Sequence, residues 1–360
     1  MRISFLISNL SSGGAERTVA YLANYFVRKG INADVLMYGT KHTVFYKLEE
    51  GVRVVSLCKE GNVNGFVQRI KKIFERIRNY KKYVKQNKPD IVFSICGNMF
   101  YTLFARKGYA LIASERSCPE AETDKKTIFL RKFYAKRVDG YVFQTKRAKE
   151  YYNNNVGGPE GVVIQNAIGN LLVYNTKTPE YRENKIVAMG RLVPVKDYET
   201  MLKAFKKVHE KHSEFILEIY GEGPLLNNLQ KIAQDLGIKD SVKFMGARED
   251  AIYKINSAKC FVLSSVYEGM PNALLEAMAI GLPCVSTDCP NGPSELIQNG
   301  INGQLVRVGD CEAMADAINK YIEYPEFAEK CSAEAKKVKE TNDINTICEQ
   351  YLAYAKSLIK

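Results

Sequence analysis

Short apolar runs alternate along the chain with longer stretches in which apolar residues recur every three to four positions. The runs read as strands buried on both faces and the stretches as amphipathic helices, the pattern of a parallel α/β fold. In the first half strands are predicted at Ile3–Ile7, Ala33–Tyr38, Val52–Ser56, Ile91–Ser94, Leu111–Ser114, Gly140–Phe143 and Val162–Ile164. A helix over Ala15–Lys29 follows the first of them, with Val19, Ala20, Ala23 and Val27 on one face. Asn170 to Asn184 is polar, contains Pro179 and lacks periodicity, so it reads as a linker. A second series then begins, with strands at Ile186–Met189, Phe215–Tyr220, Val242–Phe244, Cys260–Leu263, Pro283–Ser286 and Gln304–Val306. Its helices fall at Tyr198–His212, Leu225–Leu236, Asn272–Ile280 and Asp310–Tyr324. From Glu326 onward the pattern is helical, with a break near Thr341 to Asp343. Two Rossmann-like domains in tandem follow, and in such sheets ligands sit at loops beyond the carboxyl ends of the strands.

Length and composition agree with that division. A chain of 360 residues exceeds one ordinary core, and 46% apolar with 26% charged residues is a soluble, globular balance. No stretch reaches the ~18 to 20 apolar residues of a membrane span, because Ile91 to Ala105 is broken by Ser94, Gly97 and Asn98. Ile3–Ile7 is too short for a secretory segment, so a cytoplasmic protein is expected. Nine cysteines contain no C-x-x-C pair, and His42, His209 and His212 stand apart from most of them. That spacing fits neither zinc nor a disulfide framework and predicts reduced, mostly buried thiols. Cys284 and Cys289 read as a strand cysteine and a loop cysteine.

Charge changes the picture of the first half only. Residues 1–170 carry 29 Lys and Arg against 14 Asp and Glu, whereas the remainder carries 23 against 26. Much of the excess lies in Arg69 to Lys88 and in Lys125 to Lys149. In the first stretch Ile70, Ile73, Phe74, Ile77, Tyr80 and Val84 recur at helical spacing, giving an amphipathic helix with a basic outer face. That face is either simply solvated or rests on anionic lipid, where each Lys or Arg contributes ~1 kcal/mol. No recognition motif supports a nucleic-acid partner.

Candidate chemistry lies in the loops that follow strands. Gly13 and Gly14 open the first helix, where backbone N–H groups can approach an anion, without the spacing of a dinucleotide fingerprint or a Walker loop. The missing fingerprint argues against a dehydrogenase. Arg191 and Lys196 share a loop in the second domain and could clamp a diphosphate from two directions. Gly221-Glu222-Gly223-Pro224 is a turn in which backbone approaches either a ligand or a helix, and Gly246 ends another strand. Glu268 lies in a Gly-containing loop before Pro271, which fits the first turn of a helix holding Glu276. Two carboxylates around a helix N-terminus suit a nucleotide sugar, one on sugar hydroxyls and one on ribose. A glutamate in a first turn also simply complements the helix dipole, which accounts for Glu276 better than for Glu268.

Taken together, Gly13-Gly14, Gly190-Arg191, Lys196-Asp197, Gly221-Glu222-Gly223, and Glu268 with Glu276 after seven intervening residues resemble glycosyltransferase family 4, of the GT-B fold. The resemblance implies two Rossmann-like domains facing across a cleft, residues 1–170 with 343–360 and residues 171–342, the final helix crossing back onto the first. It implies that Arg191 and Lys196 hold the donor diphosphate, that Gly13 and Gly14 approach its distal phosphate, and that Glu276 binds ribose. Glu268, with the backbone near Gly269 and Met270, would bind the transferred sugar, the amides of Asn272 and Ala273 would complete the phosphate site, and Gly246 is a further donor-binding candidate. Arg191, Lys196 and Glu268 are thus the candidate catalytic residues.

The reaction implied is retaining transfer of a hexose or N-acetylhexosamine from a nucleotide sugar, UDP before GDP, to a lipid-linked glycan at the inner membrane face. A nucleotide-sugar epimerase and a non-catalytic sugar-nucleotide-binding subunit are the alternatives. Many members carry a histidine near the acceptor; this chain reads Ser114-Glu115-Arg116 there. Arginine stays protonated and cannot be a general base. Arg116 is expected either to bind an acceptor phosphate, with Glu115 beside it, or to form a salt bridge to Glu115 or Glu120. No D-x-D pair occurs in the chain, so neither a metal nor another cofactor is expected.

Overall fold

The computed structural model describes residues 1–11, 13–63, 65–95, 100–105, 108–169, 179 and 181–359. Residues 170–178 and 180 of the expected linker, and Gly97 and Asn98, which break the apolar run Ile91 to Ala105, lie outside the described residues. The chain divides into two compact units, Met1–Gly169 with Ile344–Lys360, and Asn170–Asp343.

The first unit is built on seven parallel strands: β1 (Arg2–Ile7), β2 (Asn32–Met37), β3 (Arg53–Ser56), β4 (Ile91–Ile95), β5 (Ala110–Glu115), β6 (Gly140–Phe143) and β7 (Gly161–Val163), in the order β3-β2-β1-β4-β5-β6-β7. Both faces are covered, as a parallel sheet requires. One core gathers Ile3, Phe5, Ile91 and Phe93 with Val19, Leu22 and Phe26 of the helix Gly14–Arg28. The helix Ile344–Ser357 closes that same core with Ile347, Tyr351 and Leu352. A Cβ on Gly140 would stand 2.2 Å from the Tyr354 hydroxyl, which accounts for the glycine that starts β6 beneath this helix. The opposite core joins Leu6, Val92 and Leu111 to Tyr80, Tyr83 and Val84 of the helix Phe66–Asn87.

That basic helix departs from its expected packing. Its apolar stripe is buried only toward the C-terminal end, at Tyr80, Tyr83 and Val84, while Ile70 and Phe74 are exposed. The periodicity is present, but the sheet does not reach under the first turns.

Asp34 on β2 pins this core toward the amino ends of its strands. It pairs with Arg2 at 2.8 Å and Arg53 at 2.6 Å, and accepts the Tyr83 hydroxyl. Burial alone would raise its carboxyl, but the bonds from Arg53, Tyr83 and Arg2 outweigh it and hold the group below the usual range. A depressed folded-state value contributes stability above the unfolded value of about 4, and that stability is lost as pH falls through the folded value. Asp34→Asn is therefore expected to lower the Tm at neutral pH and to flatten its acid dependence in a thermal melt series; an unchanged acid limb would refute this.

The second unit repeats the plan with six parallel strands: β8 (Glu183–Met189), β9 (Ile216–Tyr220), β10 (Val242–Gly246), β11 (Ala258–Leu263), β12 (Cys284–Thr287) and β13 (Gln304–Val306), ordered β10-β9-β8-β11-β12-β13. Ile186, Leu217 and Val262 pack against Leu202 and Phe205 of the helix Tyr198–Lys211 and Met314 and Ile318 of the helix Cys311–Glu323. The strand order reverses between β8 and β11, which opens a crevice at their carboxyl ends. The described cysteines are free thiols, all buried except Cys311. No helix among the described residues is long and apolar enough to cross a membrane.

Candidate functional site

The two loops that leave the crevice of the second unit carry the charged residues singled out in the sequence. After β8 the chain runs through Gly190 and Arg191 into a single 3₁₀ turn, Pro194–Lys196. Asp197 then adopts left-handed backbone, φ 43°, and caps the next helix by accepting from Thr200 N at 3.3 Å, with the Thr200 hydroxyl donating to its other oxygen at 2.7 Å. After β11 the chain runs through Ser264 to Met270. The two loops are stitched together: Val266 N donates to Val195 O at 2.8 Å, and the Ser264 hydroxyl to Lys196 O at 2.7 Å. Across this seam Lys196 Nζ meets Glu268 Oε1 at 2.5 Å.

Glu268 is shaped from below as well. The Ser265 hydroxyl donates to the same Oε1 at 2.6 Å, and Ser265 O is held by the Thr287 hydroxyl at 2.6 Å. Both bonds fall on Oε1, so Oε2 takes no hydrogen bond from the described residues. Burial, followed by the Glu268 carboxylate, pushes the nearby Cys289 thiol up to about 12 and raises the Tyr198 phenol. The Arg191 guanidinium is exposed, and no ion pair or side-chain hydrogen bond engages it among the described residues.

Gly269 and Met270 lead into the helix Asn272–Ala279, where Asn272 and Ala273 are the first two residues and Glu276 is buried. Pro271 is the N-cap, one position earlier than expected, and no side chain caps the helix. The first N–H groups therefore point out of the helix toward the crevice end of β11, where the dipole favours an anion. Gly292, at φ 95°, lies directly beneath: a Cβ there would stand 2.5 Å from Pro271 Cδ and 2.9 Å from Gly269 O.

One glycine reading needs revision. Gly221 and Gly223 are bare because the Gly190–Leu192 backbone lies against them: a Cβ on Gly221 would be 1.9 Å from Gly190 O, and one on Gly223 2.4 Å from Leu192 O. They brace the Arg191 loop. Gly246 closes the edge strand β10, and its carbonyl accepts from Gly221 N at 2.8 Å.

In the first unit Gly13 is the N-cap of its helix, again without a side-chain cap, and the space over it is taken by Glu16, whose Oε2 lies 2.0 Å from where a Cβ would be. Ser12 lies outside the described residues. Arg116 makes neither expected salt bridge. Its guanidinium donates to the Thr18 hydroxyl at 2.7 Å, Asn166 Oδ1 at 2.5 Å and the Tyr351 hydroxyl at 3.1 Å. Glu120 pairs with Arg147 at 2.7 Å instead. Glu115 is buried, accepting from the Tyr152 hydroxyl at 2.6 Å and the Ser117 hydroxyl at 2.7 Å, with Arg131 at 3.7 Å. Both residues are thus occupied in holding the end of β5.

Comparison with known proteins gives this arrangement a family. Residues 12–169 match the model described as Glycosyltransferase Family 4, and residues 174–338 that of Glycosyl transferases group 1. The chain belongs to the family 4 glycosyltransferases. It is 27% identical over 356 residues to a Campylobacter jejuni enzyme named GalNAc-alpha-(1->4)-GalNAc-alpha-(1->3)-diNAcBac-PP-undecaprenol alpha-1,4-N-acetyl-D-galactosaminyltransferase, covering 98% of this chain and 97% of that one. It is 26% identical over 332 residues to the Escherichia coli lipopolysaccharide 1,6-galactosyltransferase, covering 89% of each. Among solved structures, Anabaena HepE in complex with UDP and glucose superposes with a TM-score of 0.81 at 19% identity, over 99% of this chain and 100% of that one. The fold is the GT-B type, and the chain is a glycosyltransferase of the kind that builds cell-surface glycans.

For this glycosyltransferase, sequence reasoning missed the residues that shape Glu268. Ser265, Thr287 and Gly292 carry no motif of their own. Only the small polar residues flanking Glu268, and an Asn-Gly pair after β12, could have drawn attention to them.

Proposed function

We propose that this glycosyltransferase transfers a hexose or N-acetylhexosamine from a UDP-sugar to a lipid-linked glycan acceptor, with retention of configuration and without a metal ion, at the cytoplasmic face of the membrane. The observation that carries the reading is the Lys196–Glu268 pair at the β8–β11 crevice, with Glu268 Oε2 left for a ligand hydroxyl and the Arg191 guanidinium exposed on the same loop. Donor entry exchanges the internal pair for two external ones, Lys196 on the diphosphate and Glu268 on the sugar hydroxyls. Arg191 and the first amides of the helix Asn272–Ala279 meet the remaining phosphate charge, and Glu276 takes the ribose. The acceptor oxygen forms its bond to the anomeric carbon on the face from which the diphosphate leaves, and its proton passes to the departing phosphate oxygen. Cation and amide then stabilise the charge that develops on the diphosphate. No general base is needed, which suits the permanently protonated Arg116. The names of the relatives, which include an undecaprenol-diphosphate acceptor, support the acceptor class.

The test is a thermal-shift panel of UDP- and GDP-sugars in EDTA, followed by transfer assays and assignment of the product anomer. A UDP-sugar at 100 times its Kd should stabilise the protein by about 2.7 kcal/mol. Stabilisation by GDP-sugars alone would refute the UDP assignment. Activity that EDTA abolishes and Mn²⁺ or Mg²⁺ restores would refute metal independence, and free nucleotide released without acceptor would favour an epimerase.

A further inference from the structure

The uncovered first turns of the helix Phe66–Asn87 expose Phe66 (77%), Val67 (64%), Ile70 (37%) and Phe74 (67%). At 3.6 residues per turn these four fall within an arc of about 100°. The neighbouring helix Lys125–Ala135 does the same with Phe129 (67%), Leu130 (43%) and Phe133 (37%). Both helices line one groove of about 700 Å³, Ile73 and Arg76 on one side and Leu130 and Arg131 on the other, so the two helices that carry the stripes are neighbours around a common opening. Single exposed apolar residues are ordinary; two continuous stripes side by side mark an interaction surface.

Charge decides the occupant. Arg69, Lys71, Arg78, Lys81 and Lys82 are exposed along the first helix, and Lys125, Lys126 and Lys132 along the second. Glu75 is the one acid within either helix, and it is already engaged by Lys72 at 3.1 Å and by Lys59 N at 2.9 Å. A second copy of the chain would set like charges against each other in a two-fold contact. A surface that is apolar at its centre and cationic around it matches the boundary between anionic headgroups and acyl chains.

We propose that these two helices lower Phe66, Phe74, Phe129 and Phe133 into an anionic bilayer, so that docking is insertion as well as charge attraction. The proposal rests on the reading that the acceptor is membrane-borne, but its test needs neither donor nor acceptor. The chain has no tryptophan, so Phe74→Trp supplies a single indole reporter. On vesicles of phosphatidylcholine and phosphatidylglycerol its emission should shift to the blue and be quenched by brominated acyl chains. The double variant Phe74→Ser with Phe129→Ser should lower vesicle partition at least ~10-fold, while Phe→Leu at both positions retains most of it. Raising salt to 1 M should weaken the wild type through screening yet leave a residue of binding that the serine variant lacks. Binding without a blue shift, or equal partition of the serine variant and wild type, would overturn the proposal. So would loss of self-association, rather than of vesicle binding, in the serine variant. Tm measured for each variant guards against unfolding. Transfer to a short soluble acceptor, measured separately, should be unchanged; if no form transfers sugar at all, the proposed reaction falls and the insertion result stands.

Discussion

Arg191→Ala and Lys196→Ala are each expected to lower turnover by at least ~10²-fold, the scale seen when a group stabilising transition-state charge is removed. The two variants should differ in stability. The Arg191 side chain is exposed and engages no described residue, so its loss should leave the Tm unchanged. Lys196 is largely covered and pairs with Glu268, itself only 13% exposed at the side chain. Truncating it leaves a sheltered carboxylate with the Ser265 hydroxyl as its remaining side-chain donor among the described residues, so Lys196→Ala should also melt earlier. Single-turnover kinetics beside thermal melts separate the two effects. Near-normal rates in both folded variants would show that the diphosphate is held elsewhere.

Gly292→Ala is expected to destabilise the second unit by at least ~2 kcal/mol and to weaken donor binding with it. Two causes add: a backbone at φ 95°, and a Cβ driven against Pro271 and the Gly269 carbonyl. Gly300 supplies the control, with φ 75° and nothing within 4 Å of an added Cβ. Gly300→Ala isolates the conformational penalty, so the excess in Gly292→Ala reports the contact under the Glu268 loop. Equal losses in urea titrations of the two variants would refute that contact.

The fold was readable because parallel strands buried on both faces leave uninterrupted apolar runs. All thirteen strands stand within three residues of where those runs place them. The break at residues 342 and 343 was equally plain, since polar residues there interrupt a helical period. The site was readable only as a set of residue types. Lys196 and Glu268 lie 72 positions apart, and nothing in their spacing says that they pair with each other when no donor is present. The turn at Gly221 was ambiguous because a bare Cα accommodates a ligand or a backbone equally well, and here it is the Gly190 carbonyl. Arg116 drew attention as a missing imidazole, yet its partners Thr18, Asn166 and Tyr351 come from three distant segments. Phe74 shows a different limit. Periodicity places it on the same face as Tyr80 without saying where the sheet underneath ends.

The helix Ile344–Ser357 sets the order in which the chain can be finished. Ile347, Tyr351 and Leu352 cover Val19 and Leu22, residues made near the start of synthesis, while the whole second unit is made in between. Domains ordinarily complete themselves in the order they leave the ribosome. Here the unit begun first is completed last, and its apolar face beside Val19 stays uncovered until residues 344–357 have emerged. A nonsense mutation that spares the entire second unit would therefore damage the first.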